Sequence, residues 1–327
     1  MNSRASESLL FKAVGRWPAV LAEGAVIERL RRETALALDP LLLNTALIYS
    51  RSGRSAMGRI YTQYLAIAAE YRLPMLLAAP TWRANPERVR RAGLGTAGQV
   101  NRDAVRFIRE VCARAGEAAA PVLIGGLMAC RGDAYRPDEA LSADAAEAFH
   151  RPQARCLAEA GVDYIMAATL PALSEAMGLA RVLSGLPAPY VISFIIGRDG
   201  ALLDGTPLAA AVDRTDREVD PRPAFYMLNC VHPQTVIEGL GTATADDGLL
   251  KGRLLGIQAN TSTQRPEALD GSEALDGAEP EGFADDVLAL HDRFGMKILG
   301  GCCGTDHRHI RAIAARIAAM GGSADEA

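Results

Sequence analysis

The sequence predicts a single (β/α)8 barrel over residues 1–327, and three observations predict it. Eight short apolar runs alternate with segments of helical character. The runs are continuously apolar rather than alternating, as strands are when both faces of a parallel sheet are covered. The cysteines that stand out lie where such runs end, and α/β folds keep their sites at the carboxyl ends of strands. Right-handed crossovers of eight such units close most naturally into a barrel, with a doubly wound open sheet as the second choice.

Residues 1–16 read as a lead segment. The first strand is Trp17–Ala22, ending in Glu23-Gly24 before the helical pattern AVIERLRRETAL. The second is Pro74–Ala79, ending in Pro80-Thr81-Trp82; a helix follows with Asn101 as its expected N-cap and Asp103 in its first turn. In that helix Val105, Ile108 and Cys112 share a face, so Cys112 reads as a small core hydrophobe. Strands three and four are Pro121–Gly126 and Asp163–Ala167. The helix after strand four carries Leu173, Ala176, Met177, Ala180 and Leu183 on one face. Strand five is Tyr190–Ile195, strand six ends at Asn229-Cys230, strand seven is Leu254–Gln258, and strand eight is Ile298-Leu299. A last helix places Ile310, Ile313, Ile317 and Met320 on one stripe, and 321–327 reads as a frayed tail. Gly197–Pro223 and Thr261–Gly282 read as charged or polar loops, the second as a cover for the barrel mouth.

With 49% apolar residues the chain can bury a large core. Its net charge of -4 and lack of a basic block argue against a nucleic-acid partner. No apolar run approaches the ~20 residues of a membrane span, and the N-terminus lacks the apolar core of a secretory signal. The expectation is a cytoplasmic protein whose six cysteines are reduced.

The chemistry gathers in Gly295–Ile310, GMKILGGCCGTDHRHI. A strand breaks at Gly300-Gly301, presents Cys302 and Cys303, turns at Gly304 and meets a helix that Thr305 or Asp306 can cap. With Cys230 at the end of strand six, three thiolates from two strand ends suit a Zn²⁺ site with one position open to substrate. Two alternatives stay open. His232, His307 or His309 can supply a fourth protein ligand and make the site structural, or Cys302-Cys303 can form a vicinal disulfide.

GGCCGTDHRHI, with Asn229-Cys230 upstream, resembles the homocysteine S-methyltransferase family. EGAVIERL, AAPTWRANPERV, LAEAGVDYIMAATLPALSEA and ISFIIGRDGALLDGTPL are similar to further segments of that family. The resemblance implies the barrel, a zinc cofactor held by Cys230, Cys302 and Cys303, and methyl transfer from a small sulfonium or ammonium donor to homocysteine or a related thiol. It implies substrate contacts at Glu23, Gly24, Thr81, Thr169 and Asn229. The expectation is a barrel without a cobalamin- or folate-binding domain after it, and hence a small donor such as S-methylmethionine. One departure stands out: Ala168 occupies the place where the family carries a glutamate for the substrate ammonium. The second reading is a zinc-thiolate binding or sensing protein that has lost or changed its methyl acceptor. A homo-oligomer is compatible with the sequence, which fixes no oligomeric state.

Overall fold

A computed structural model describes residues 8–116, 119–241, 247–262 and 278–322. Eight parallel strands close in sequence order: β1 (Val20–Ala22), β2 (Met75–Ala78), β3 (Val122–Met128), β4 (Tyr164–Leu170), β5 (Tyr190–Phe194), β6 (Phe225–Asn229), β7 (Leu254–Ala259) and β8 (Ile298–Gly301). Closure is made by Val20 and Leu21 of β1 against Ile298 and Leu299 of β8. The open sheet is thereby excluded.

Strand side chains divide into two layers because they point alternately to the two faces. In β4, Tyr164, Met166 and Ala168 join the barrel interior with Val20, Leu76, Val191, Phe225 and Ile298. Ile165 and Ala167 face outward into the larger core beneath the helices. The Tyr164 ring lies where a Cβ on Gly125 would stand, so β3 carries a glycine there.

Part of the lead segment is helical. Leu9–Arg16 forms helix α1, N-capped by Ser8, and buries Leu10 and Ala13 against the barrel interior. The Lys297 ammonium fixes it by donating to the Val14 carbonyl at 3.0 Å. This helix closes the floor of the barrel. Residues 1–7 and the tail 323–327 lie outside the described residues.

Two other expectations change. Asn101 is not an N-cap. The helix is α2 (Ala97–Ala115), its cap is Thr96, and Asn101 is buried inside it, donating to the carbonyls of Ala84 and Ala97. Its amide ties the helix to the loop after β2, a tertiary use that local sequence does not reveal. The charged stretch within Gly197–Pro223 is largely helix α3 (Leu208–Glu218). Leu208, Ala211, Val212 and Thr215 form a buried stripe, while Arg214–Glu218 and Asp213–Arg217 pair on the outside. The charges that looked like loop are the wet face of an amphipathic helix. Of the strand-seven loop, 263–277 lies outside the described residues, and Pro280–Phe294 is helical. Among the described residues no helix is long and apolar enough to cross a membrane.

Candidate metal centre

β6 and β8 deliver the three sulfurs. β6 ends at Asn229, and the next residue, Cys230, turns sharply with φ 56°. A non-glycine residue in that region stores strain that the surroundings must hold. They do so on both sides: Cys230 N–H donates to the Gln258 carbonyl at 2.9 Å, and the Asn260 amide donates to the Cys230 carbonyl at 3.0 Å.

The Cys302-Cys303 turn is fixed in the same manner. Cys302 N–H donates to the Ala259 carbonyl at 2.6 Å, and Cys303 accepts from Thr261 N–H at 3.2 Å. The Thr305 hydroxyl closes the turn onto the Cys302 carbonyl at 2.7 Å. Gly304 sits at φ 81°, where a Cβ would collide with the Thr261 hydroxyl, and its N–H donates to the Glu28 carboxylate. Only glycine satisfies that backbone and that space. Asp306 caps the closing helix, α4 (His307–Gly322), by accepting from Arg308 N–H at 2.8 Å.

All three sulfurs lie within 4.8 Å of one another, Cys230–Cys303 at 3.3 Å and Cys302–Cys303 at 4.0 Å. A tetrahedral ion with Zn–S bonds of ~2.3 Å spaces its sulfurs ~3.8 Å apart. The two observed separations bracket that value, so the donor set fits such an ion. A disulfide needs ~2.05 Å, and all six cysteines are free. Cys230 is buried, Cys302 half-buried and Cys303 exposed, so the cluster opens to solvent on the Cys303 side.

The electrostatics favour one shared negative charge. Hydrogen bonds from Cys302, Cys303 and the Tyr135 hydroxyl hold the Cys230 thiol well below its ordinary range. The bond to Cys230 in turn pushes Cys302 and Cys303 well above it. A soft cation binding there displaces the thiol protons.

The three candidate histidines do not join this group. His232 accepts from Gln234 N–H through Nδ1, and His309 is held between Asp306 and the Ala278 carbonyl. Among the described residues the metal-ligating set is the three cysteines.

The expected substrate contacts are placed less uniformly. Asn229 donates its amide to Gln258 Oε1 at 3.1 Å, and its buried Oδ1 has no partner among the described residues. Thr169 stands at φ 61°, where the β4–β5 register shifts. Gly24 packs under Tyr64, Thr305 and Ile310, a close approach that excludes a side chain. The Thr81 hydroxyl is engaged by backbone groups: it accepts from Leu127 N–H at 2.9 Å and donates to the Leu127 carbonyl at 2.8 Å, with the Ala79 carbonyl at 3.4 Å. Trp82 is covered by the guanidinium of Arg83 at 4.8 Å.

Glu23 turns into the barrel, where Oε2 accepts from Ala78 N–H at 3.0 Å. Burial pushes its carboxyl up to about 8, against the partial relief of that hydrogen bond. It lines a small internal cavity with Ala22, Leu76, Ala78, Tyr164, Met166, Met227 and Gln258. Ala168 belongs to the same interior layer and adds only a methyl group. β5 adds a group that sequence reasoning passed over: the Ser193 hydroxyl, fully buried and without a partner among the described residues. Tyr135 was also missed. It lies beyond the end of β3 and donates its hydroxyl to Cys230 Sγ at 3.2 Å. No local pattern marks it; its position after the carboxyl end of a strand was the one available signal.

Fold and site together define a barrel protein with a three-thiol centre at the carboxyl mouth. The sequence profile of the homocysteine S-methyltransferase family matches residues 20–317, and the chain belongs to that family. It is similar to homocysteine S-methyltransferase YbgG of Bacillus subtilis, 31% identical over 189 residues, which is 56% of each chain. It is also similar to the homocysteine S-methyltransferase of Escherichia coli, 31% identical over 186 residues, 57% of each. The matched stretches thus span little more than half the length of these relatives. Among solved structures, the metallated form of the Escherichia coli homocysteine methyltransferase MmuM superposes with a TM-score of 0.75 at 22% identity, covering 94% of this chain and 99% of that one. At that identity the likeness concerns the fold.

Proposed function

We propose that this protein is a zinc-dependent S-methyltransferase that moves a methyl group from a small sulfonium or quaternary ammonium donor to homocysteine, giving methionine. The observation that carries the reading is the cluster of Cys230, Cys302 and Cys303 at the mouth of this family's barrel. Bound there, zinc would lower the pKa of the acceptor thiol and hold it as a thiolate. The chain's own part is positioning. β7 holds the backbone of Cys230 and Cys302 in place, and Gly304 lets Cys303 face the open side. Three thiolates on a dication leave a net charge of -1, which favours a cationic donor at that face. A similar mouse protein, 28% identical over 51% of this chain, is an S-methylmethionine–homocysteine S-methyltransferase, and S-methylmethionine is the first donor to test.

Ala168 leaves the acceptor ammonium without a carboxylate on β4. Glu23 is the acid that lines the neighbouring cavity, and an entering ammonium would draw its carboxyl back to the ionised form. The test is methyl transfer by the zinc-loaded protein from S-methylmethionine to homocysteine, read by mass spectrometry. Methionine formed at a rate that Glu23→Gln lowers through a KM raised ~10-fold supports this reading. No methylated product with homocysteine, for wild type and Ala168→Glu alike, sinks homocysteine as the acceptor.

A further inference from the structure

The loop from β3 to the helix Ala143–Glu159 is held by a residue of a different element. Glu175 lies on the helix Leu173–Ser184, after β4, and its side chain is wholly buried. Oε1 accepts from Arg131 N–H at 2.7 Å, and Oε2 accepts from Leu141 N–H at 3.2 Å. His150 Nε2, itself buried, meets Oε1 at 2.7 Å. One carboxylate therefore grips both ends of the loop and the helix that follows it. Inside the loop the chain braces itself: Tyr135 N–H donates to Asp133 Oδ1 at 2.8 Å, and Asp133 N–H donates to Glu139 Oε2 at 3.0 Å. At the loop's centre Tyr135 reaches Cys230 Sγ.

A buried carboxylate is costly unless fully hydrogen-bonded, and a packed apolar residue is often at least as stable in its place. Besides its contact with His150, this one accepts from two backbone groups that bracket the stretch carrying Tyr135. We propose that Glu175 is a positioning residue for the metal centre: by clamping the loop at Arg131 and Leu141 it holds the Tyr135 hydroxyl as a hydrogen-bond donor to Cys230 sulfur, and that bond limits the electron density this sulfur offers a bound metal. An O–H donor on a metal thiolate stabilises the sulfur lone pairs and so raises the energy of sulfur-to-metal charge transfer. The inference rests on the metal reading above.

The experiment uses the full chain loaded with Co²⁺ and reads the sulfur-to-cobalt charge-transfer absorption. Tyr135→Phe is expected to move the band to longer wavelength at one cobalt per chain. Glu175→Gln is expected to move it the same way, and the double variant no further than Tyr135→Phe alone. A Tyr135→Phe band at the wild-type position overturns the inference. So does a folded Glu175→Gln protein with an unmoved band, or a double variant whose shift is the sum of the two. Where Glu175→Gln does not fold, Leu141→Pro, which removes one gripped N–H and leaves the buried carboxylate in place, is read by the same criteria. A wild-type protein that binds cobalt with no sulfur charge-transfer band overturns the metal reading itself, and this inference with it.

Discussion

The two ends of the barrel are built on opposite terms. At the floor, α1 lays Leu10 and Ala13 on an apolar interior. At the mouth, Cys230 and Thr169 hold left-handed backbone, as Leu43 and Arg72 do elsewhere, and among the described residues the buried Ser193 Oγ, Asn229 Oδ1 and Asn260 Oδ1 have no partners. Strain and unsatisfied polar atoms are each unfavourable, and they persist where a site needs them. The expectation is that substitutions at the floor act on stability and those at the sulfurs on metal binding.

The sharpest separation is expected at the sulfurs. Cys230→Ser, Cys302→Ser and Cys303→Ser should each weaken zinc binding by more than ~100-fold, beyond the usual effect of an outer-sphere change. Cys112→Ser, in helix α2 and outside the three-cysteine cluster, should leave zinc at one per chain. Metal analysis after dialysis against a chelator measures this, and three serine variants with full affinity would remove the metal centre. At the other end, Leu10→Ala should cost about 3 kcal/mol of unfolding free energy through the cavity it leaves. Zinc stoichiometry should not change. Denaturant titration checks the first statement and metal analysis the second; a floor variant that loses zinc would break the contrast.

Glu23 lies between the two ends and should show its burial in the pH dependence of stability. The unfolded chain releases this proton near 4.5, the folded chain only near 8. Between those values the folded state binds more proton, so stability falls as pH rises. The contribution is whole below about 4.5 and lost by about 8. The slope is at most ~1.4 kcal/mol per pH unit for one proton. Glu23→Gln, which keeps an acceptor for Ala78 N–H, should flatten it. Denaturant midpoints between pH 5 and 8, parallel in the two proteins, would count against a buried, protonated Glu23.

What the sequence disclosed follows the same division. Strands buried on both faces must be apolar throughout, so runs such as Tyr190–Ile195 announced themselves. A Gly-Gly-Cys-Cys-Gly turn has few uses, and it marked the centre. The rest depended on tertiary partners. Asn101 looks like a cap and instead bonds across to Ala84. The charges of α3 hide a buried stripe because polar and apolar faces alternate faster than composition is read. Glu175 meets Arg131, forty-four residues away in sequence, so nothing near either residue signals the pair.

The smallest effect tests whether strain at the mouth is retained for a purpose. Thr169 is β-branched and stands at φ 61°, a conformation such residues rarely adopt. Left-handed backbone costs ~1–2 kcal/mol for a residue with a Cβ. Glycine accepts it freely but costs ~0.5–1 kcal/mol in chain entropy. Among the described residues the Thr169 hydroxyl makes no hydrogen bond that the substitution would forfeit. Thr169→Gly should therefore stabilise the protein by up to ~1 kcal/mol. If the threonine side chain meets the acceptor, the same variant should raise the KM for homocysteine and leave zinc binding alone. A gain in stability with unchanged kinetics would show the strain to be incidental to the β4–β5 register shift. A loss of stability would show that Thr169 supports the mouth through its packing, and that the contrast between the two ends is less complete at β4 than at β6.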